Sequence, residues 1–367
     1  MNAQRRCYHA CICGYIFFYN LLVLNNKYIG LAQKKCMKNT ENNEILDKLK
    51  RLFSSVNLQK YPSFIDDLFT LIKELQKARK EKFTFLMVGR TGVGKSSTIN
   101  SLFGENIAPE GKYDPTTMDV KSYEHQINNI NFTIIDTPGL CDDIPEEKND
   151  QKYINLIKNK VKQIDSLWFV TRLDDSRVTA DEMQGIKIIS EAFTVNVWNY
   201  AVIIFTRTDK ADDYLVDLKE RTKRIRNEIA KHTGDHIANN IPVIAVDNKS
   251  KTLTNPDGKR WLEELYSKVF KRMSERSAVP FFLATSQRIT SNNNYNYNKS
   301  DKNNEEFSFN EEQKTSIKNK LFSAIPILEK IGGAIGSFFG GSLGKPLGES
   351  IGGLVGHGID IIFSLFF

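Results

Sequence analysis

Residues 89–96 read Gly89-Arg90-Thr91-Gly92-Val93-Gly94-Lys95-Ser96, and this stretch decides the fold. It fits G-x-x-x-x-G-K-[ST], the pattern of a loop that cradles phosphate with its backbone N–H groups. Its surroundings suit that task. Residues 83–88, Phe-Thr-Phe-Leu-Met-Val, form an apolar run of strand length, and residues 97–103 continue as the first turns of a helix. Strand, loop and helix together aim a helix N-terminus at one anion. The expected phosphate contacts are Gly89, Arg90, Thr91, Gly92, Val93, Gly94, Lys95, Ser96 and Ser97. Lys95 is expected on the β- and γ-phosphates, and the Ser96 hydroxyl on Mg²⁺.

Working outward, residues 131–135 read as a strand ending in Asp136-Thr137-Pro138-Gly139. An Asp at a strand end beside such a loop holds Mg²⁺, and the Gly139 N–H is placed to sense a γ-phosphate. Residues 200–205 are a further strand, running into Thr206-Arg207-Thr208-Asp209. A carboxylate at Asp209 can accept both N1–H and N2–H₂ of guanine, donors that adenine does not offer. The Arg207 stem can lie flat on the base. Residues 241–246 lead to Asp247-Asn248-Lys249-Ser250, expected on the base edge. Between these motifs, Thr116 and Thr117 are the adjacent pair able to close a hydroxyl onto Mg²⁺, and Thr117 is the favoured one. The ligand set is therefore GTP or GDP with Mg²⁺, the metal held by Ser96, Thr117 and Asp136. Lys95 and Thr117 are the candidate catalytic residues.

The chain resembles the translation-factor-related P-loop GTPases with a Ras-like G domain. Residues 89–104, Thr206-Arg207-Thr208-Asp209 and Val246-Asp247-Asn248 are similar to segments of the immunity-associated GTPases and the chloroplast outer-envelope import receptors. Pro115-Thr116-Thr117-Met118-Asp119 instead resembles the switch segment of Era-like GTPases. The resemblance implies an α/β, three-layer fold with a mainly parallel sheet. Many such enzymes orient the attacking water with a Gln after Asp-x-x-Gly. This chain has Leu140 there, so hydrolysis is expected to be slow and completed by a partner or a G-domain homodimer. Arg172 and Arg177 are candidates for an arginine finger across that dimer. Gly92 stands where Era-like relatives hold potassium, so no potassium dependence is expected.

The 367 residues carry a net charge of +7, which suits an acidic membrane surface and is too spread to argue for nucleic acid. Of 5 Cys, Cys7, Cys11, Cys13 and Cys36 precede the core and Cys141 lies within it. No spacing matches a zinc site, and a reducing, cytoplasm-facing core is expected. The expected divisions are 1–36, 37–81, 82–275, 276–315 and 316–367. The first holds Arg5-Arg6 and a short apolar run. It reads as a signal anchor, an acylated Cys-rich tip, or an untranslated stretch with Met37 as the true start. The second is a helical extension interrupted at Pro62, the third the G domain, and the fourth an Asn-rich linker. In the last, Gly332, Gly336 and Gly340, then Gly344, Gly348, Gly352 and Gly356, recur at every fourth position around Lys345-Pro346. That spacing suits a helical hairpin in a membrane or a self-association element. A membrane-tethered nucleotide switch is the expected function. A scaffold with little turnover and a ribosome-assembly GTPase are the alternatives.

Overall fold

The computed structural model describes residues 62–109, 120–137, 148–285, 288, 307 and 309–328. Segments 1–61 and 329–367, with Thr116, Thr117, Gly139 and Leu140, lie outside them. Six strands form one sheet in the order β2-β3-β1-β4-β5-β6. They are β1 Phe83–Val88, β2 Lys121–Ile127, β3 Ile130–Asp136, β4 Ser166–Arg172, β5 Ala201–Thr206 and β6 Val243–Ala245. Among the described residues only β2 runs antiparallel, paired with β3. The other neighbours are parallel. The mainly parallel α/β sheet expected from the sequence is thus the observed one.

The strand sequences explain these places. All residues of β1 and β5 are buried, as continuous apolar runs require when helices cover both sheet faces. Edge strand β2, Lys-Ser-Tyr-Glu-His-Gln-Ile, alternates between half-buried and exposed residues. It joins β3 through Asn128 and Asn129, both at positive φ, the two-residue turn that matches strand twist.

The helices are α1 Pro62–Ala78, α2 Lys95–Phe103, α3 Lys148–Lys160, α4 Ala180–Ala192, α5 Tyr214–Thr233, α6 Asp235–Asn239, α7 Leu262–Arg272, α8 Glu275–Thr285 and α9 Glu311–Ala324. Pro62 opens α1, where a first-turn proline loses no helical hydrogen bond, and the expected helix before it lies outside the described residues. Thr179 and Glu182 close a reciprocal cap on α4, and Asp213 caps α5. One core cluster gathers Ile154, Ile157, Ile186, Ile189, Ile225 and Ile229 around Phe169, Trp198 and Phe205. An aromatic cluster occupies the core as well: Phe103 stacks on Phe132 at 4.7 Å, Phe83 on Phe132 at 5.0 Å, and Phe281 meets Tyr266 at 5.2 Å.

Two boundaries differ from expectation. Residues 276–285, assigned to the linker, belong to α8, whose residues 277–285 are all buried. A segment buried on every side has no helical periodicity, and Pro280 inside it disguises it further. Helix α9 crosses the expected boundary at 315 and packs on α7 and α8. Helix α7 begins at Leu262, after a tight turn in which Asn255 N–H donates to Lys259 O and Gly258 N–H to Asn255 O. Among the described residues no helix is long and apolar enough to cross a membrane.

Candidate nucleotide site

The motifs singled out in the sequence meet at the carboxyl ends of β1, β3, β5 and β6, where open α/β sheets bind ligands. The loop leaves β1 at Gly89 and enters α2 at Gly94, which has φ 98°. A Cβ on Gly89 would stand 2.1 Å from the Val170 carbonyl oxygen of neighbouring β4. No other residue type fits there without moving backbone.

Lys95 is 6% exposed and curls back over its own loop. Its Nζ donates to Gly89 O at 2.8 Å and Arg90 O at 3.1 Å, and lies 3.4 Å from Asp136 Oδ1. The ammonium is thus held at the loop centre. Asp136 is nearly buried, and its Oδ1 has no hydrogen-bond donor among the described residues. Burial raises its pKa, while Lys95 and then Lys121 pull it down. A buried carboxylate oxygen short of donors, with the Ser96 hydroxyl at the start of α2, fits a hydrated Mg²⁺. The third expected ligand, Thr117, lies outside the described residues, as does Gly139.

Behind the loop, buried hydroxyls set its height. Thr206 Oγ1 donates to Val93 O at 2.6 Å and to Thr171 O at 3.2 Å, joining β5, β4 and the loop. Thr98 Oγ1 donates to Gly94 O at 2.9 Å, and Asn248 Nδ2 donates to Thr98 Oγ1 at 2.9 Å. Asn248, expected on the base edge, therefore braces the phosphate loop. Asp247 turns the same way: its Oδ1 accepts from Lys249 N–H at 2.9 Å and Ser250 N–H at 3.1 Å, fixing a tight turn. Thr98 was missed in the sequence, although its place four residues after Gly94 is the signal for a hydroxyl bonding back to a helix carbonyl.

The base end is less enclosed. Arg207 sits at φ 57° and its Nη2 donates to Gly92 O at 3.2 Å, laying the side chain across the loop. Asp209 Oδ2 pairs with Lys249 Nζ at 3.2 Å. Lys249 is largely exposed, so the pair is well solvated and weak. Of the two finger candidates, Arg172 forks onto Asp174 at 2.9 and 2.6 Å, which holds Asp174 below the ordinary carboxylate range. Arg177 has an exposed side chain, and its carbonyl accepts from Arg221 Nη1 at 2.6 Å. Arg90 pairs with Asp175, tying the same loop to the phosphate loop. Sequence reading missed Asp175, because a contact across 85 residues leaves no local pattern.

A model of the AIG1 family matches residues 83–301, more than half of the chain. Translocase of chloroplast 101 of Physcomitrium patens is 27% identical over 208 residues, covering 52% of this chain and 22% of that relative. The chain thus spans about a fifth of that relative's length. Translocase of chloroplast 34 of Arabidopsis thaliana is 27% identical over 239 residues, covering 60% of this chain and 75% of the relative. A crystal structure of Toc33 from Arabidopsis thaliana, in complex with GDP and Mg²⁺, superposes with a TM-score of 0.43 at 23% identity. That match covers 62% of this chain and 93% of the other.

Proposed function

The chain belongs to the AIG1 family, and from that premise and the site geometry we propose that it binds GTP with Mg²⁺ and hydrolyses it slowly, as a nucleotide-dependent switch at a membrane. The observation that carries this reading is the convergence of Lys95, Asp136 and Thr206 at one loop from three different parts of the chain. Lys95 supplies the positive charge for the β- and γ-phosphates, and the backbone N–H groups from Gly89 to Ser97 hold their oxygens. Bound through Ser96 and the Asp136 carboxylate, Mg²⁺ would neutralise charge developing on the transferring phosphoryl group. Asp209 selects guanine, and Arg207 covers the base.

Slow turnover follows from Leu140 at the position of the usual water-orienting Gln. A second copy of the G domain is the proposed source of the missing group, with exposed Arg177 as the residue offered across the interface. The two relatives described above are named as chloroplast translocases, and a membrane role for this chain is proposed by that likeness and by its Gly-rich terminus. The test is GTP binding and turnover by the full chain and by Lys95→Ala. Wild type should release phosphate in a Mg²⁺-dependent way, and Lys95→Ala should bind neither GTP nor GDP. Equal binding by both proteins would remove Lys95, and the loop reading with it.

A further inference from the structure

Helices α5 and α7 flank β6 at the edge of the sheet and line a cleft of about 570 Å³. None of the residues assigned to the nucleotide lines it. Its size falls in the range of small-molecule sites, about 300–1,000 Å³. Leu218, Val243 and Ala245 give it an apolar component. An edge strand is ordinarily open to another strand, but this one is capped by side chains. Arg226 Nη2 donates to Ile241 O at 2.6 Å, Lys268 Nζ to Val243 O at 2.6 Å, and Asn255 Nδ2 to Ala245 O at 2.9 Å. An added peptide strand would have to break these bonds, so the cleft is built for something other than strand addition.

Its charge is one-sided. Lys268 pairs with Glu264, and Lys259 with Asp257 at 3.3 Å. Lys219, Lys223 and Arg226 have no acidic partner among the described residues, and they fall at i, i+4 and i+7 along one stripe of α5. The Arg226 Nε is buried without an acceptor there. An unpaired guanidinium N–H beside two unpaired ammonium groups suits a tetrahedral dianion better than a single carboxylate. Tyr214 adds a half-buried phenol, its pKa pushed up to about 12 by burial, then by Asp257 and Glu264, so it stays a neutral O–H. Asn255 fixes one wall, because its Oδ1 accepts from Thr208 Oγ1 at 3.3 Å. A bare inorganic ion would leave the apolar surface unused.

We infer that this cleft binds an organic phosphate monoester, with the phosphate on Lys219, Lys223 and Arg226 and the carbon skeleton over Leu218 and Val243. The inference does not depend on what occupies the phosphate loop. It is tested by titrating the full chain, in Mg²⁺ with and without saturating GDP, with 2-naphthyl phosphate. In parallel, phosphatidylcholine vesicles with and without phosphatidic acid are offered as the lipid-borne form of the same group. Saturable binding of either probe is expected, equal with and without GDP, and weakened at least about tenfold in the double variant Lys219→Glu, Lys223→Glu. The exposed control pair Lys251→Glu, Lys271→Glu should keep wild-type binding. Which probe binds tells a soluble ligand from a lipid headgroup, and either supports the site. Loss of probe binding on adding GDP would place the phosphate in the nucleotide loop and overturn the inference. Equal weakening by both double variants would reduce the effect to general surface charge, and no binding of either probe would also refute it.

Discussion

Single residues set the limits of the nucleotide loop. Gly89 is the clearest, because its position is decided by a neighbouring strand rather than by the ligand. A methyl group there meets the Val170 carbonyl, so Gly89→Ala is expected to cost about 2–3 kcal/mol in urea unfolding, before any effect on nucleotide. A variant as stable as wild type would show that the loop has room the structure does not indicate. Lys95 and Asp136, which the structure brings together, were each picked out by a short motif with fixed spacing. Asn248, expected on the base edge from its own motif, has a partner that the motif does not show. Its motif is read by position along the chain, while its amide is captured by Thr98, a hydroxyl 150 residues away. A linear pattern carries no information about such a competitor.

Elements were readable where their burial is one-sided or complete and their length typical. Strands β1 and β5 are short apolar runs with polar turns after them, and both lie where the sequence placed them. Helix α8 was not, because burial on all sides erases the 3.6-residue period on which helix reading depends. It is nonetheless part of the core. Phe281 touches Phe83 at 5.8 Å, Phe103 at 6.0 Å and Phe270 at 6.1 Å, joining α8 to β1, α2 and α7. Phe281→Ala is therefore expected to destabilise the protein by about 3–5 kcal/mol in denaturant, as loss of a large buried ring does. A loss under about 1 kcal/mol would return residues 276–285 to the role of linker. The capping box of α9, Asn310 with Gln313, and its packing on α7 and α8 extend the same fold beyond the Asn-rich stretch.

At the scale of the whole molecule, the fold places the described nucleotide motifs at one end of the sheet, while the Gly-rich segment from residue 329 lies outside the described residues. A truncation that isolates the Gly-rich terminus must start after Leu328, since a cut at Asn310 would strip α9 from α7 and α8. In liposome flotation, the full chain is expected to float and the chain ending at Leu328 to sediment. Flotation should also differ between GDP and a non-hydrolysable GTP analogue. Equal behaviour of the two chains would remove the membrane from the proposal and leave the nucleotide site untouched. The central claim rests instead on Asp209, whose carboxylate is the one group assigned to tell guanine from other bases. The most direct test is to measure the affinity of wild type and Asp209→Asn for GDP, ADP and xanthosine diphosphate in Mg²⁺. Wild type should prefer GDP over ADP by at least about a hundredfold, and Asp209→Asn should shift the preference to xanthosine diphosphate, whose acceptor replaces the guanine donor. Equal affinity of wild type for GDP and ADP, or no change on substitution, would contradict a guanine-nucleotide site.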